Sequence, residues 1–429
     1  MSKENTNQDP TSGIPSTVFD QLLEPVDEFV QKQDRELPQH PNQKFRYYDF
    51  FRLLMYFFVS GGKSLKLFLN TDLNQGLLPT TLRLRPVAYT TFGEAFERFG
   101  VMNFQAVFQH LLKTVPFKPI PELAALGTLY CIDGSLFPVI NSMLWAEYTS
   151  KHQALKLHLC FELNRMLPVE FLITAANFSE RQALVKMLKA GITYIADRGY
   201  MSFRICHEVS NARAYFVFRV KAGLRFTVKK TLPVQLPKML PNIFNNVTDE
   251  LIRYTNDQFK HTYRLVCFSI GSDTFYLLTN RRFLTTFQVI ILYAYRWQIE
   301  LLFRFLKRTM KGIHLIKQDQ RGVTIQFYAL LIVAMLELRL KQKIADQNNC
   351  KDKKSSDKIK KGEKSRASKS CRCSKSESEK FQIYGYKFIE TIGKNLNKYW
   401  KIGIHWLTTL QRLLAKPFNE CAIETLDSS

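Results

Sequence analysis

The chain has 429 residues, a formal net charge of +24 and an isoelectric point near 9.6. Hydrophobic residues make up 46% of it and include 34 phenylalanines, which excludes a disordered polyelectrolyte and predicts a globular protein with a sizeable core. Residues 351–380 hold 12 Lys and Arg against 5 Asp and Glu, a net +7 of the +24. The remaining chain is therefore basic in its own right, and we expect a polyanionic partner.

Neither export nor membrane insertion is indicated by the pattern of apolar residues. The first forty residues lack the apolar run of a secretory signal. The apolar runs 289–306 and 325–340 carry charges or are too short to span a bilayer. The eight cysteines lack the spacing of a disulfide framework or of a zinc site. We expect free thiols, a cytoplasmic location and no membrane partner.

The N-terminal part of the chain divides into a polar and a helical segment. Residues 1–40 are rich in Asn, Gln, Pro, Ser and acidic residues and are predicted to form a flexible tail. Residues 41–120 have helical periodicity and are predicted to form a helical module. Such a basic module suits DNA binding, with phosphate contacts available from Arg83, Arg85 and Lys113. A plain helical packing domain is the equal alternative, because no firm helix-turn-helix signature is present.

An alternating pattern replaces the helical one after the proline-rich break at 116–121. Residues 121–346 are predicted to form a mixed α/β sheet, with a strand ending near Asp133 and another ending at Asp197. Acidic residues at the carboxyl ends of central strands lie where such sheets place their sites. Between these strands the pattern predicts a hairpin turning at Asn164-Arg165 and a helix that begins at Ser179 and ends at Gly191.

In the rest of the chain, segments predicted to fold alternate with segments of biased amino-acid composition. Residues 222–286 read as β-hairpins and are predicted to form a separate small β unit that interrupts the α/β domain. Two apolar helices are predicted to follow. Residues 347–380 are rich in lysine and serine, contain no aromatic residue, and are predicted to be disordered. Residues 381–429 are predicted to form a C-terminal helical domain.

The segment 289–310 carries a polar pattern with the spacing Y-x2-R-x3-E-x6-K. On one continuous helix these residues fall in a stripe about 60° wide, because each residue advances about 100°. The stripe contains Tyr293, Arg296, Glu300 and Lys307, with Arg304 at its edge. A carboxylate among cations and a phenol suits a group that binds metal while its neighbours hold phosphates. The helix therefore predicts phosphodiester chemistry.

Three carboxylates form the candidate catalytic set: Asp133, Asp197 and Glu300. Either aspartate alone is more simply explained as the first residue of a turn. All three together suit two divalent ions that activate a nucleophile and stabilise the leaving oxygen of an in-line displacement. Hard oxygen ligands favour Mg²⁺ over zinc.

The Y-x2-R-x3-E-x6-K spacing, the aspartates in CIDGS and IADRGY, and the β insertion before the glutamate resemble the bacterial insertion-sequence DDE transposases that carry the YREK signature. The resemblance covers about residues 121–342. It implies a ribonuclease-H-like mixed sheet with a β-rich insertion, flanked by helical N- and C-terminal domains.

The same resemblance implies an activity: the protein would move its own insertion sequence, the element, by cut-and-paste transposition. Two Mg²⁺ ions, for which Mn²⁺ can substitute, would be held by Asp133, Asp197 and Glu300. Phosphates near the element end would be contacted by Tyr293, Arg296, Lys307 and Arg304. The partners would be double-stranded DNA, as terminal inverted repeats and target, and a second subunit in a homodimeric synaptic complex. The protein would then be cytoplasmic and associated with the nucleoid.

The β insertion of this family can stack an aromatic residue on a flipped base. Phe275 occupies the position that best fits this role, with Tyr276 beside it. Alternating aromatics are ordinary strand residues, so a place in a small core is the simpler explanation. Two other functions stay open: a ribonuclease-H-like DNA nuclease or resolvase, and a catalytically silent, transposase-derived DNA-binding protein. The lysine-rich segment 351–380 either adds nonspecific DNA affinity or has no role.

Overall fold

The computed structural model describes residues 16–62, 64–73, 82–115, 121–139, 143–149, 152–236, 244–310 and 315–360. The predicted C-terminal helical domain, residues 381–429, lies outside these ranges, as does most of the predicted disordered segment. The described chain divides into two compact units. Among the residues that the structure describes, a helical unit contains those up to 115 and those from 309 to 360, and a sheet unit contains those from 121 to 308.

The described residues of the helical unit include four long helical segments: α1 (Val18–Glu36), α2 (Tyr47–Val59), α3 (Tyr89–Thr114, which is kinked at Gly100) and α8 (Gln320–Lys360). Helix α2 is buried on nearly all sides, and Phe50 is the centre of its aromatic contacts with α3. The buried guanidinium of Arg52 is paired with Asp20 at 2.8 Å and Asp27 at 3.4 Å on α1. These charged contacts fix α1 against α2.

Helix α1 shows that the predicted tail over residues 1–40 is wrong for residues 18–36. Thr17 and Asp20 form a capping box at its start. Its buried residues recur at helical spacing: Val18, Phe19, Leu22, Leu23, Val26 and Val30. The polar composition of the segment as a whole concealed this apolar stripe, which buries against the other helices and stabilises α1.

Helix α8 corrects two further predictions. It packs on α1, α2 and α3, so the α/β domain predicted to run to residue 346 ends near residue 308 instead. The backbone of α8 continues to Lys360, so the disorder predicted from residue 347 is wrong for 347–360. Once a buried helix has nucleated, each further residue extends it at little cost. Residues 320–341 are long and apolar enough to cross a membrane, but 78% of that window is buried inside the protein, as in a core helix.

One mixed sheet forms the second unit, which confirms the predicted α/β class. Its strands are β1 (Thr128–Pro138), β2 (Glu147–Thr149), β3 (His152–Glu162), β4 (Leu167–Ala175), β5 (Ile192–Ala196), β6 (Tyr215–Arg219), β7 (Phe226–Thr231), β8 (Asn245–Tyr254), β9 (Tyr263–Ile270) and β10 (Asp273–Thr279). Their order is β2-β3-β1-β5-β6-β10-β9-β8-β7, with β4 also paired to β3. The hairpin predicted at Asn164-Arg165 is confirmed as β3 and β4.

The residues of the predicted β insertion do not form a separate small unit. Strand β10 pairs antiparallel with β6 through Leu278 and Phe218, so β7–β10 extend the central sheet. The alternating pattern predicted the hairpins correctly, but such a pattern does not specify which edge of the sheet a hairpin joins. Without β10, the buried strand β6 would present an unpaired edge, a liability that folded proteins cover.

Four helices accompany the sheet: α4 (Glu180–Lys186), α5 (Phe203–Asn211), α6 (Thr286–Tyr295) and α7 (Trp297–Met310). Helix α4 follows Ser179 as predicted but ends at Lys186, well before Gly191. Gly191 has a φ of +78°, which favours glycine, and lies in the turn that starts β5. Helices α4 and α5 connect strands of the sheet, and α6 packs on β5 and β6.

Candidate active site

Asp133 and Asp197 lie on neighbouring parallel strands at the same level. Strand β1 pairs with β5, and the register joins Cys131 to Ile195, two residues before each aspartate. Strand β5 ends at Ala196, so Asp197 follows it directly. Asp133 is not at a strand end as predicted, because β1 continues to Pro138 by pairing with β3. The strand-end argument therefore placed both aspartates correctly relative to each other, although one of them lies within its strand.

The polar stripe lies on two helices rather than on the single predicted helix. Helix α6 begins with a capping box between Thr285 and Gln288 and ends at Tyr295, and α7 begins at Trp297. At the junction, the Arg296 N–H donates to the Tyr293 carbonyl and the Ile299 N–H donates to the Arg296 carbonyl. These bonds span three residues instead of four, so the helix tightens locally at Arg296.

Arg296 lies among the predicted catalytic residues. Its guanidinium is 2.6 Å from Glu300 Oε1 and 3.6 Å from Asp133 Oδ2. The Tyr293 hydroxyl donates a hydrogen bond to Asp197 Oδ1 at 3.1 Å. The Arg296 guanidinium also lies 5.6 Å from the centre of the Tyr293 ring. The structure thus brings together all three predicted carboxylates with Tyr293 and Arg296.

The pKa values in this cluster reflect burial and mutual charge. Burial raises the pKa of Asp133 to about 6, and the charges of Glu300 and Glu180 add to the increase, although Arg296 opposes it. Burial also acts to raise the pKa of Asp197, but a hydrogen bond from the Arg198 backbone N–H and the charge of Arg296 leave it lowered. The cluster therefore holds crowded carboxylate charge that a cation would stabilise.

The donors fit a divalent cation in their chemistry, because carboxylate oxygens are the ligands that Mg²⁺ prefers. Among the described residues, no three acidic, histidine or cysteine side chains form a ready-made metal cluster. Arg296 lies between Asp133 and Glu300 and supplies the positive charge there. Metal binding at these acids therefore requires the Arg296 side chain to leave at least one of them.

The two remaining cations of the stripe lie away from the carboxylates and are exposed. The Arg304 guanidinium lies 5.0 Å from the Trp297 ring centre. The Lys307 ammonium lies 5.6 Å from the ring of Phe137, near the end of β1. Both side chains are exposed to solvent, which suits contacts to a phosphate backbone.

Phe275 lines a cleft next to the carboxylates. Its ring stacks on Phe268 with the centroids 5.1 Å apart, and the Arg219 guanidinium lies 4.7 Å from its centre. The cleft has a volume of about 360 Å³, and its lining includes Tyr293, Arg296 and Trp297. Phe275, rather than Tyr276, contributes to this lining. Aromatic rings and a guanidinium around one cleft suit a planar, electron-rich ligand.

Sequence reasoning did not identify Arg219 and Glu180 as neighbours of the site. Arg219 is the last residue of β6, which pairs with β5, the strand that ends just before Asp197. The rule that sites lie at the carboxyl ends of central strands therefore predicts Arg219 as well as Asp197. Glu180 follows the predicted helix start at Ser179. Nothing in its sequence context distinguishes it from an ordinary acidic residue in a first helical turn.

Part of the chain is similar to a known family of protein domains. Residues 125–336 match the family model described as "Transposase DDE domain". The match covers just under half of the chain and includes Asp133, Asp197 and Glu300. It therefore spans all three carboxylates as well as the strands and helices that position them.

Two curated relatives match a similar length of chain, and their names assign them provisionally to the transposases. One is the transposase y4zB of Sinorhizobium fredii, 27% identical over 213 residues, which are 48% of this chain and 59% of the relative. The other belongs to the insertion sequence element IS5377 of Geobacillus stearothermophilus, 23% identical over 214 residues, which are 49% of this chain and 55% of the relative. The chain thus spans little more than half the length of each.

Among solved structures, the piggyBac transposase in a synaptic complex with hairpin DNA is similar with a TM-score of 0.39 and 12% identity. The alignment covers 91% of this chain and 82% of the other. A likeness of this degree carries no argument about fold or function.

Proposed function

We propose that this protein is a DDE-type DNA transposase that moves its own insertion sequence by cut-and-paste transposition. One observation supports the proposal above all. Asp133, Asp197 and Glu300 are far apart in sequence, yet they lie around Arg296 within the segment that matches a transposase domain. The matching relatives add support, because both are assigned to the transposases.

The strand arrangement supports a ribonuclease-H-like catalytic core. Five strands lie in the order β4-β3-β1-β5-β6. The first three are antiparallel, while β5 and β6 continue parallel to β1. This order puts Asp133 on the central strand and Asp197 on its neighbour, and α7 adds Glu300. The four strands β7–β10 then take the part of the family's β insertion.

The carboxylates of Asp133, Asp197 and Glu300 would hold two Mg²⁺ ions, for which Mn²⁺ can substitute. When bound, these ions supply the activation of the attacking oxygen and the stabilisation of the leaving oxygen. Arg296 and Tyr293 hold the three acids together before the ions bind. Arg304 and Lys307 then bind phosphates near the reacting one, since both are exposed on α7, the helix that carries Glu300.

The substrate is double-stranded DNA, at the terminal inverted repeats of the element and at its target. Hydrolysis frees a 3′-hydroxyl, which attacks the opposite strand to give a hairpin; after the hairpin reopens, the end joins the target. The helical unit contributes further DNA contacts, and two subunits act together in a synaptic complex. The protein works in the cytoplasm on nucleoid DNA.

The test uses the full chain, Mg²⁺ and linear DNA that ends in the inverted repeats flanking its reading frame. We expect hairpin ends and, with a target plasmid, joined strand-transfer products on denaturing gels, both abolished by EDTA. Cleavage that never yields joined product would identify a nuclease or resolvase instead. Binding without any cleavage would identify a catalytically silent DNA-binding protein. Either result would overturn the proposal.

A second measurement addresses the cleft beside the carboxylates, which we assign to a flipped base in the hairpin. Stacking of a base on an aromatic ring contributes about 1–3 kcal/mol. Phe275→Ala is therefore expected to lower the rate of hairpin formation about 5- to 150-fold, whereas Phe275→Trp retains it. Phe226→Ala removes an exposed aromatic from β7, outside the cleft, and serves as the control. Equal rates for Phe275→Ala and Phe226→Ala would remove Phe275 from the site.

A further inference from the structure

Glu180 is a fourth carboxylate beside the predicted catalytic aspartates. It is the first residue of α4. A Cβ atom added to Gly199 would lie 2.7 Å from Glu180 Oε2, and one added to Gly134 would lie 3.3 Å from Oε1. Gly134 follows Asp133, and Gly199 lies two residues after Asp197. The Glu180 carboxylate therefore rests against the backbone that carries both aspartates.

Space, rather than backbone conformation, explains these two glycines. Neither Gly134 nor Gly199 has a φ in the left-handed region that favours glycine. At Gly199 a side chain would instead collide with the carboxylate, since real Cβ atoms essentially never approach within 3.0 Å. The absence of side chains at Gly134 and Gly199 leaves room for the Glu180 carboxylate beside β1 and the turn that follows β5.

A lysine of β3 contacts the Glu180 carboxylate. The Lys156 ammonium lies 3.8 Å from Glu180 Oε1 and donates to the Phe178 carbonyl at 3.2 Å. Lys156 therefore helps to position the Glu180 carboxylate and balances only part of its negative charge.

A buried polar atom beside these acids supports the presence of a further ligand. The Tyr200 side chain is 1% exposed, and its hydroxyl has no hydrogen-bond partner among the described residues. Buried hydroxyls are normally hydrogen-bonded, and an exception calls for an explanation such as an absent water or ion. Tyr200 follows Gly199, and its backbone N–H donates to the Asp197 carbonyl at 3.1 Å.

We propose that Glu180 is a fourth carboxylate of the divalent-metal site, adding negative charge on the Asp133 side of the cluster and raising the affinity for the ion. This inference rests on the proposed function. Removing a group that supports metal ligands typically costs about 10- to 100-fold in metal affinity. The role can therefore be measured directly, without DNA and without turnover.

The test is Mn²⁺ binding to the full chain without DNA, measured by electron paramagnetic resonance of the free ion. Glu180→Gln is expected to weaken Mn²⁺ affinity about tenfold. Glu170→Gln is the matched control, because Glu170 has a 30% exposed side chain paired with Lys189, whereas Glu180 has a 32% exposed side chain paired with Lys156. The control is expected to bind Mn²⁺ as the wild type does.

A second variant reaches the same carboxylate without changing its charge. Gly199→Ala displaces Glu180 by the Cβ contact, so it is expected to weaken Mn²⁺ affinity in the wild type. In a Glu180→Ala background, Gly199→Ala is expected to have no further effect. Additive losses in that background would show that the alanine acts through the backbone, and would overturn the proposed role of the carboxylate.

The outcomes separate this inference from the proposed function. Asp133→Asn should weaken Mn²⁺ binding by at least about tenfold; a wild type that binds no Mn²⁺, or an Asp133→Asn variant that binds it normally, contradicts the transposase proposal. If Asp133→Asn weakens Mn²⁺ binding while Glu180→Gln and Gly199→Ala bind Mn²⁺ as Glu170→Gln does, only the proposed role of Glu180 is overturned. Circular dichroism of each variant establishes that it is folded.

Discussion

Asp133→Asn, Asp197→Asn and Glu300→Gln are each expected to reduce excision from a donor plasmid by about 10²–10³-fold or more. Each substitution keeps the shape of the side chain and removes the charge that would hold a metal ion. Removing one group that stabilises the charge of a transition state has effects of this order. Binding to the element ends should survive, because the exposed cations Arg304 and Lys307 are unchanged.

Stability measurements distinguish a lost catalytic group from a lost fold. The folded state raises the pKa of Asp133 from 3.8 to about 6, so ionisation of this group opposes folding. Its unfavourable contribution is absent below pH 4, develops between pH 4 and 6, and is complete above pH 6. In metal-free protein near pH 7, Asp133→Asn is therefore expected to unfold at no lower urea concentration than the wild type.

Glu170→Gln provides a control on the same unit, since Glu170 lies on β4, is paired with Lys189 and does not line the cleft. Its excision frequency and its gel-shift affinity should match those of the wild type. The interpretation of the three acids as catalytic would be wrong if any one of their variants excised the element at the wild-type frequency. A variant that fails to bind the ends would instead point to a role in DNA contact.

The position of the acids was largely predictable because it follows from local rules. Asp133 and Asp197 each follow an apolar run, and parallel strands align their carboxyl ends. Glu300 was found from its helical spacing to Tyr293 and Arg296. These inferences need only the chain's periodicity. They do not need the packing of distant segments.

The features that were missed depend on tertiary contacts. The pairing of β10 with β6 joins residues about sixty positions apart, and an alternating pattern does not specify its partner strand. The tightening of the helix at Arg296 accompanies its contacts to Asp133 and Glu300. The role of Glu180 is visible only through Gly134 and Gly199. None of these contacts leaves a periodic trace in the sequence.

A buried ion pair connects the extended part of the sheet to the helix that carries Tyr293. Arg264 on β9 donates two hydrogen bonds to Asp249 on β8, at 2.8 and 2.6 Å. Both side chains are buried, with 4% and 0% exposed. Thr286, the first residue of α6, donates to Asp249 Oδ2 at 2.7 Å. The position of α6, and with it Tyr293 and Arg296, therefore depends on strands β8 and β9.

Arg264→Met is expected to lower the free energy of unfolding of the sheet unit by about 3–5 kcal/mol, because it leaves the Asp249 carboxylate buried without its partner. Urea denaturation followed by circular dichroism measures the change. Replacing both partners, as in Asp249→Leu with Arg264→Met, should recover much of the loss, since a buried pair is often replaceable by apolar residues of similar volume.

The two variants also separate stability from positioning. The double variant restores an apolar contact but cannot restore the hydrogen bond to Thr286, so excision should stay below the wild-type level even where stability returns. Thr286→Val removes that bond and the one that the Thr286 hydroxyl accepts from the Gln235 N–H at 2.9 Å, and should cost about 2 kcal/mol. An Arg264→Met protein that unfolds at the wild-type urea concentration would show that the pair contributes nothing to the unit. A stable double variant with full excision would show that α6 is positioned without it.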